Sequence, residues 1–101
     1  MTKNEEKVLC ATPAPGKKGT WIAKWKYDAV RKAIRKVVPR NRTGVAFEDL
    51  PELVEGALTD SERAELGSVM WYTVTVKLHL ETTGELERVA GVTPQRLRRV
   101  K

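Results

Sequence analysis

The chain has 101 residues, a net charge of +6 and a single cysteine, with 41% hydrophobic and 32% charged residues. This length allows one domain with a modest core, and a lone cysteine excludes a disulfide within the chain. No apolar run approaches the ~20 residues that span a bilayer and the N-terminus lacks an apolar signal core, so we expect a cytoplasmic protein with no membrane partner.

The positive charge is concentrated at the two ends of the chain. Residues 1–43 carry 12 basic and 3 acidic side chains, residues 44–81 carry 2 and 8, and residues 82–101 carry 5 and 2. Two interpretations stay open. The basic ends can form cationic flanks for phosphate contact, or the basic first helix can lie beside the acidic second helix so that their charges offset each other.

Residues 1–23 are expected to form a basic N-terminal arm or a short hairpin. Two candidate strands, residues 8–11 and 20–22, flank a loop with the Pro and Gly residues typical of turns. Trp21 and Trp25, at the start of the next element, are interpreted as core-filling aromatics. Cys10 is interpreted as a small apolar filler rather than a reactive thiol.

A first helix is predicted from about residue 24 to residue 38, where Pro39 should stop it. Its apolar residues recur at the three- and four-residue spacing of an amphipathic helix: Tyr27, Val30, Ala33, Ile34, Val37 and Val38. A basic loop, residues 40–44, and a short strand, residues 45–47, should follow.

Two more helices are indicated by their capping residues. Asp49 is predicted to cap a second helix with Pro51 in its first turn. Its apolar stripe is Leu50, Leu53, Val54, Ala57 and Leu58. Thr59 and Glu62 have the spacing of a capping box, which predicts a short helix that ends at Gly67.

The pattern of apolar residues in 73–80 is compatible with the repeat of a strand and with the repeat of a helix. Strict alternation of apolar and polar residues favours a strand, whereas a helix would have apolar residues on two opposite faces and would have to be buried on both. We favour a helix that begins after Ser68 and ends at Gly84, and the strand stays open as the alternative. A helix that is apolar on two faces needs a second surface to cover the face that the core does not bury. The simplest such surface is another copy of the chain, with a homodimer interface formed by Trp71, Val74 and Leu78.

After Gly84, residues 86–89 and 96–100 are predicted to form a two-stranded ribbon around a turn with Gly91 and Pro94. One core should then unite residues from every main element. Its predicted members are Val30, Ile34, Leu53, Val54, Leu58, Val76, Leu80, Leu86 and Leu97.

Leu80-Glu81, Gly84, Leu86 and Arg88-Val89 resemble the L-E-x-x-G-x-[LI]-x-R-V run at the helix–wing junction of many bacterial winged-helix regulators. The predicted order of elements, with a short strand after the first helix and a ribbon at the end, is also the winged-helix order. Residues 24–101 are therefore expected to form an α+β winged helix-turn-helix domain with three main helices and a C-terminal two-stranded wing.

The chain also resembles a family of small uncharacterised bacterial proteins of about this length. The shared motifs are Lys26-Tyr27-Asp28-Ala29, Trp71-Tyr72-x-x-x-Val76-Lys77-Leu78-x-Leu80-Glu81-x-x-Gly84 and Pro94-Gln95-Arg96-Leu97-Arg98. This resemblance covers most of the chain and implies no particular activity.

Few side chains are available for catalysis, since the chain has one histidine, one cysteine and two serines. Ser61 and Ser68 are better explained as helix caps than as members of a triad with His79. No metal-ligand spacing and no Gly-rich phosphate cradle occurs in the sequence. We expect a non-enzymatic protein without a cofactor or a metal.

A winged helix of this composition is predicted to bind double-stranded DNA mainly through phosphates. The candidate DNA-binding residues are Tyr72, Thr75, Lys77 and His79 of the third main helix and Arg88, Arg96, Arg98 and Arg99 of the wing, followed by Lys101. The wing is basic, whereas the helix offers one lysine for base recognition. The alternative is a protein-interaction or dimerisation module on the same scaffold, because a fold alone does not decide function.

Overall fold

A computed structural model describes residues 6–14 and 16–100, which form an α+β arrangement of four α-helices and two small antiparallel sheets. The helices are α1 (Lys24–Val37), α2 (Leu50–Ala57), α3 (Asp60–Leu66) and α4 (Val69–Thr83). The strands are β1 (Lys7–Cys10), β2 (Thr20–Ala23), β3 (Val45–Ala46), β4 (Leu86–Arg88) and β5 (Arg96–Arg99). Lys101 and the first five residues of the predicted arm lie outside the described residues.

The N-terminal strands β1 and β2 form the predicted hairpin, and one of its faces belongs to the core. Cys10 and Ile22 are buried against the helices. Successive strand side chains point to opposite faces, so Trp21, the neighbour of Ile22, turns outward opposite Leu9. The expectation that Trp21 fills the core is therefore wrong, since 63% of it is exposed. Trp25 is half-buried at the start of α1.

Helix α1 ends one residue before its predicted limit, at the turn that leads into Pro39. Val38 is already extended, and its N–H donates to the carbonyl of Ile34 at 2.9 Å. Val30 and Ile34 are completely buried. Arg35 and Lys36 lie in the last turn, where positive charge is favourable beside the negative end of the helix dipole.

The starts of α2 and α3 are stabilised differently. The capping box at α3 is confirmed: the hydroxyl of Thr59 accepts from the N–H of Glu62 at 3.1 Å, and Glu62 Oε1 accepts from the N–H of Thr59 at 2.8 Å. Asp49 precedes α2 as predicted but makes no side-chain cap hydrogen bond. A 3₁₀ turn, Phe47–Asp49, runs directly into α2 and leaves Asp49 with helical backbone angles.

The stripe predicted for α2 is correct at Leu50 and Val54, which are completely buried, and wrong at Leu53, which is 38% exposed. Residues 50, 54 and 58 follow one line on the helix side that faces α1 and α4. Leu53 lies beside that line, at its solvent edge.

Residues 73–80 are helical, so the strand alternative is wrong. Helix α4 begins where the hydroxyl of Ser68 accepts from the N–H of Trp71 at 3.0 Å, and it ends at Gly84 with φ of 82°. This left-handed angle favours glycine. Val76 and Leu80 are completely buried beneath the other helices, as predicted.

The second sheet has the strand order β3-β5-β4 and joins the segment after α1 to the C-terminal strands. Leu97 of β5 lies opposite Val45 on one side and Arg88 on the other, and it is completely buried. Gly44 approaches the carbonyl of Leu97 so closely, with φ of 61°, that a Cβ atom would collide with it. Only glycine fits before β3.

One hydrophobic cluster unites both sheets and all four helices. Eight of the nine predicted core residues belong to it, all except Leu53. The hairpin and α3 contribute Cys10, Ile22 and Leu66, which the prediction omitted. The predicted wing is therefore anchored to the same core as the helices through Leu86 and Leu97.

Candidate nucleic-acid interface

Three arginines of β5 hold the loop that follows α1. Arg99 Nε donates to the carbonyl of Val38 at 3.3 Å, and Arg98 Nη2 donates to the carbonyl of Arg40 at 3.2 Å. Arg96 donates through Nε and Nη2 to the carbonyls of residues 43 and 44, at 2.7 and 3.1 Å. The loop therefore runs beside β5 along its whole length, although the two segments are more than fifty residues apart in sequence.

The loop fixed in this way presents two free cations. Arg40 and Arg42 are exposed, and within residues 6–14 and 16–100 neither side chain donates a hydrogen bond or forms an ion pair. We call the surface formed by the two loop arginines and the two β5 arginines on the outer face of the sheet the basic ridge: Arg40, Arg42, Arg96 and Arg98. Arg40 and Arg42 were not among the predicted DNA-binding residues, although their position before Gly44 marked a basic loop.

A cleft of about 340 Å³ opens on the basic ridge between the loop and the β4–β5 turn. Its lining includes three arginines and one carboxylate, together with two small apolar side chains: Arg42, Arg88, Arg98, Glu87, Val89 and Ala90. Arg98 Nη1 is paired with Glu87 at 2.6 Å, and Arg88 Nε is paired with Glu81 at 2.9 Å. Arg42 is therefore the arginine of this lining that forms no ion pair within the described residues, and it leaves the cleft with a net positive charge.

Lys77 corrects the expectation that α4 presents a cation to the solvent. Its side chain is 2% exposed and its Nζ lies 2.6 Å from Glu81 Oε2 and 4.6 Å from the centre of the Phe47 ring. Burial lowers the pKa of Lys77, and the hydrogen bond to Glu81 only partly opposes this effect. Residues 73, 76, 77 and 80 occupy the buried side of α4, so Lys77 is a core residue rather than a DNA ligand.

His79 holds the N-terminal hairpin against α4. Its Nδ1 accepts a hydrogen bond from the N–H of Ala11 at 3.0 Å, and its ring meets Tyr27 edge-on with the centres 5.6 Å apart. Burial lowers the pKa of His79, although the charge of Glu85 opposes this shift. The bond to Ala11 requires an unprotonated Nδ1, so His79 is neutral in this arrangement.

Acid should therefore weaken the docking of the hairpin. The folded pKa of His79 lies below the unfolded value of about 6.5, so the unfolded state binds the proton first and stability falls as the pH decreases below that value. We expect the melting temperature to drop between roughly pH 7 and pH 5, in the range where histidine titrates. In His79→Gln, whose amide oxygen can accept from Ala11 without titrating, this part of the pH dependence should vanish. An identical profile for both proteins would contradict the assignment.

The remaining helix candidates do not join the basic ridge. Tyr72 is half-buried, and its hydroxyl accepts from Lys26 Nζ at 3.3 Å. Thr75 is half-buried. Glu81 stands about 15 Å along α4 from Trp71, at 1.5 Å per residue, and contacts β4 through Arg88. Of the arginine candidates, Arg96 and Arg98 lie on the outer face of the sheet, whereas Arg88 and Arg99 lie on the face that carries Leu86 and Leu97. Tyr72 lies near the opposite end of α4.

The apolar side of α4 is open at one end and covered at the other. Trp71 and Met70 are 45% and 59% exposed, and the Trp71 ring is packed edge-on against Tyr72. Val74 is half-buried. Leu78 faces a cleft that it shares with residues 12–14 of the hairpin loop. Of the predicted dimer interface, Trp71 alone is widely exposed, and Met70 is the neighbour that the sequence analysis missed.

Helices α1 and α2 pack against each other, but no ion pair joins their side chains within the described residues. Arg31 and Arg35 both pair with Glu85, at 2.6 and 3.1 Å. Burial would raise the pKa of Glu85, but the hydrogen bonds from Arg31 and Thr83 and the two arginine charges lower it. The acids of α2 and its 3₁₀ turn form no ion pair in the described part of the chain: Glu48, Asp49, Glu52 and Glu55. The molecule therefore has a separate acidic surface.

Three further properties of the described residues concern metal binding, thiol reactivity and membrane spanning. Within them, no three His, Cys, Asp or Glu side chains come together in a way that could hold a metal ion. Burial raises the pKa of the Cys10 thiol to about 11, so little of the reactive thiolate exists at neutral pH. None of the helices built by the described residues has the length and apolarity to cross a membrane.

Comparison with known proteins gave one match. No curated protein and no solved structure was significantly similar to the chain. A family model described as "Family of unknown function (DUF6958)" matches residues 7–97. The match runs from the first strand of the hairpin into β5 and includes every helix. The chain therefore belongs to the DUF6958 family.

Proposed function

We propose that the protein is a winged-helix module that binds double-stranded DNA through contacts of the basic ridge with phosphates. The winged-helix assignment is supported by the order of elements and by the pairing of β3 with β5. In that assignment α1, α2 and α4 are the three main helices, and β4 and β5 are the wing.

The observation that carries the proposal is the fixed basic loop beside the wing. Arg96, Arg98 and Arg99 hold the loop backbone, and Arg40 and Arg42 extend from it into solvent. A rigid surface that presents guanidinium groups at several positions suits the phosphates of a duplex, because arginine binds phosphate through two parallel hydrogen bonds.

The contacts should be mainly with phosphates because α4 offers little for base recognition. Its lysine is buried, and its most exposed side chains in the first turn are Met70 and Trp71. Base edges are normally recognised by Arg, Lys, Asn or Gln. The acids of α2 would also repel a duplex, so the DNA should approach from the side of the wing. We therefore expect modest affinity and weak sequence preference.

The test is a titration of a fluorescent duplex at several salt concentrations. Each phosphate contact contributes about −0.9 to the slope of log K against log salt. Arg40→Ala combined with Arg42→Ala should therefore make this negative slope shallower by about two, while weakening binding to all sequences alike. Both side chains are exposed, which makes a folding defect unexpected, whereas Arg96 and Arg98 also hold the loop.

The matched control is Lys7→Ala combined with Lys24→Ala, which removes the same charge. These lysines lie at the open end of the hairpin and the start of α1, about 20 Å along that helix from its end beside the loop. The control should change the slope much less. Equal effects of the two double variants, or no binding of the wild type at low salt, would refute the proposal.

Self-association is a second candidate function, favoured by the exposure of Met70 and Trp71. Methionine and tryptophan side chains are enriched at protein interfaces, and an exposed apolar patch commonly marks one. A homodimer through this end of α4 would leave the basic ridge of each copy free. Two ridges in one particle would also strengthen binding to a single duplex.

Sedimentation velocity at tens of micromolar tests this candidate. We expect a dimer for the wild type and a monomer for Trp71→Glu. Trp21→Glu is the matched control, because Trp21 is an equally large and even more exposed side chain on the outer face of the hairpin. A monomeric wild type, or a dimer that both variants disrupt equally, would contradict an interface at Met70 and Trp71.

A further inference from the structure

We infer that the outer face of the N-terminal hairpin binds single-stranded nucleic acid, with one unpaired base stacked on Trp21 and the neighbouring phosphates beside lysines of the hairpin. We call Lys7, Leu9 and Trp21 on this face the hairpin platform. The inference goes beyond the proposed function, because it concerns a different ligand and a surface that does not include the basic ridge. A duplex keeps its bases inside the stack, so it offers no free base to Trp21.

Trp21 is the tryptophan of this chain that is most open to solvent. It is 63% exposed, compared with 45% for Trp71, whose ring is packed edge-on against Tyr72. Trp25 is half-buried, and the ammonium of Lys26 lies 5.6 Å from the centre of its ring. Within the described residues no other ring stacks on Trp21. Because every base has a π-face, an exposed indole of this kind can stack on any of them.

The strand register places an apolar side chain and a lysine beside Trp21. Leu9 lies directly opposite Trp21 and is 43% exposed. Cross-strand partners have Cβ atoms about 4.5–5.5 Å apart, so the two side chains form one apolar patch. Lys7 lies two residues before Leu9 on the same face, about 7 Å along β1 at ~3.4 Å per residue. Its ammonium is therefore within reach of the phosphate of a base that is stacked on Trp21.

The charge around the hairpin platform suits a polyanion. Lys7, Lys17 and Lys18 are exposed, and none of them forms an ion pair within the described part of the chain. Residues 6–24 contain four lysines in total and one acidic residue, Glu6. Lysine contacts with phosphates supply most of the affinity in non-specific nucleic-acid binding. Basic side chains around an exposed aromatic ring are the combination that proteins use to bind single strands.

The inner face of the hairpin holds the platform in place. Cys10 and Ile22, which follow Leu9 and Trp21 in the two strands, are buried in the core. The N–H of Ala11 donates to His79 Nδ1 and so attaches the end of β1 to α4. A binding group that is already positioned loses less conformational entropy when its ligand binds. The indole is therefore in place before a base arrives.

A second copy of the chain and a membrane surface fit the hairpin platform less well. A symmetric dimer would bring the same patch of both copies together, so the lysines of one copy would repel those of the other. Membrane binding by a surface element increases with its buried apolar area, and the apolar part of the platform consists of Leu9 and Trp21 alone. A patch of this size matches one base, and its lysines match the adjoining phosphates.

The experiment is a titration of a fluorescent oligothymidylate with the full chain at low salt, followed by anisotropy. An oligonucleotide of about four residues corresponds to the smallest site size of single-strand-binding domains. Trp21→Ala should weaken binding about tenfold, which is within the range for the loss of one base–aromatic stack. Trp21→Phe keeps an aromatic ring and should retain most of the affinity. Trp71→Ala is the matched control, because it removes another exposed tryptophan, in the first turn of α4.

A second probe is an oligonucleotide of the same length with abasic sugars, which keeps the phosphates and lacks the bases. It should bind the wild type about tenfold more weakly than the oligothymidylate and should be indifferent to Trp21→Ala. Equal affinity for the two probes, equal effects of Trp21→Ala and Trp71→Ala, or no binding of the oligothymidylate would overturn the inference. Binding to phosphatidylserine vesicles without binding to the oligothymidylate would replace the single strand by a membrane surface.

A parallel titration of a blunt-ended duplex separates this inference from the proposed function. Duplex affinity should depend on Arg40 and Arg42 and should be unchanged in Trp21→Ala. Oligothymidylate binding that is lost in Trp21→Ala, together with no duplex binding at low salt, would support the platform and refute the DNA proposal. Oligothymidylate binding that depends on Arg40 and Arg42 rather than on Trp21 would assign the strand to the basic ridge and overturn the platform.

Discussion

Replacing Leu80 by alanine should lower the free energy of unfolding by about 2–5 kcal/mol, the range for a buried leucine truncated to alanine. Leu80 is completely buried in α4, at the point where that helix contacts both α1 and α2. The surrounding helices can close only part of the cavity, because α1 also packs against the hairpin and α4 against β4. Urea unfolding followed by circular dichroism measures the effect.

Leu53→Ala is the matched control for this substitution. It removes the same atoms from a helix, but Leu53 is 38% exposed and lies at the solvent edge of α2. Its replacement should cost clearly less than that of Leu80, because part of its surface is already in water and no closed cavity forms. Equal losses for the two variants would contradict the assignment of Leu80 to the centre of the core.

The helix ends were predictable because their causes are local. The caps at helix ends are formed by residues that lie within a few positions of the backbone groups they satisfy, so both partners can be identified in the sequence. This holds for Thr59 with Glu62, for Ser68 and for Gly84. The same holds for the turn between β4 and β5, where glycine and proline decide the chain direction. The structure confirms these features, and the exception among the predicted caps is Asp49, which makes no side-chain cap hydrogen bond because a 3₁₀ turn runs directly into α2.

The faces of the elements were harder to predict, since they depend on what lies opposite. Trp21 is apolar but lies on the outer face of the hairpin, and Leu53 lies outside the buried line of α2. Lys77 was expected in solvent because a lysine is almost never fully buried without a partner. That partner, Glu81, is one turn away, but only the packing of Phe47 and α4 decides that the pair lies inside.

The basic ridge contains arginines that could be predicted from the sequence and arginines that could not. Arg96, Arg98 and Arg99 were predicted from the sequence because basic residues recur along β5. Arg40 and Arg42 were not, because the loop is joined to β5 by hydrogen bonds to its backbone carbonyls, which no sequence pattern reports. Backbone acceptors carry no residue identity, so a loop held in this way is found only when the chain is folded.

The buried pair of Lys77 and Glu81 should respond very differently to the loss of each partner. Glu81→Ala leaves an ammonium in the core beside the Phe47 ring and within reach of the like charge of Arg88, and breaking a buried ion pair in this way costs about 3–5 kcal/mol. Lys77→Met instead replaces the charge by an apolar side chain of similar length, which is commonly neutral or stabilising. Glu81 would then keep its contact with Arg88 at the protein surface.

The cost of Glu81→Ala should also depend on pH. Without Glu81 the pKa of Lys77, already lowered by burial, falls further below its unfolded value of about 10.4. The unfolded state then binds more protons between the two pKa values, so stability rises with pH across that range. Unfolding in urea between roughly pH 7 and pH 9.5 should show the loss shrink as Lys77 becomes neutral in the folded state.

Two further variants separate the buried pair from the surface contact. Arg88→Ala removes the exposed partner of Glu81 and should cost at most about 1 kcal/mol, as for other surface ion pairs. Lys77→Met combined with Glu81→Ala should recover most of the stability that Glu81→Ala loses, because no unpaired charge remains inside. If the double variant is no more stable than Glu81→Ala alone, or if Lys77→Met is the more damaging single change, then the pair stabilises the fold in a way that burial of an unpaired charge does not explain.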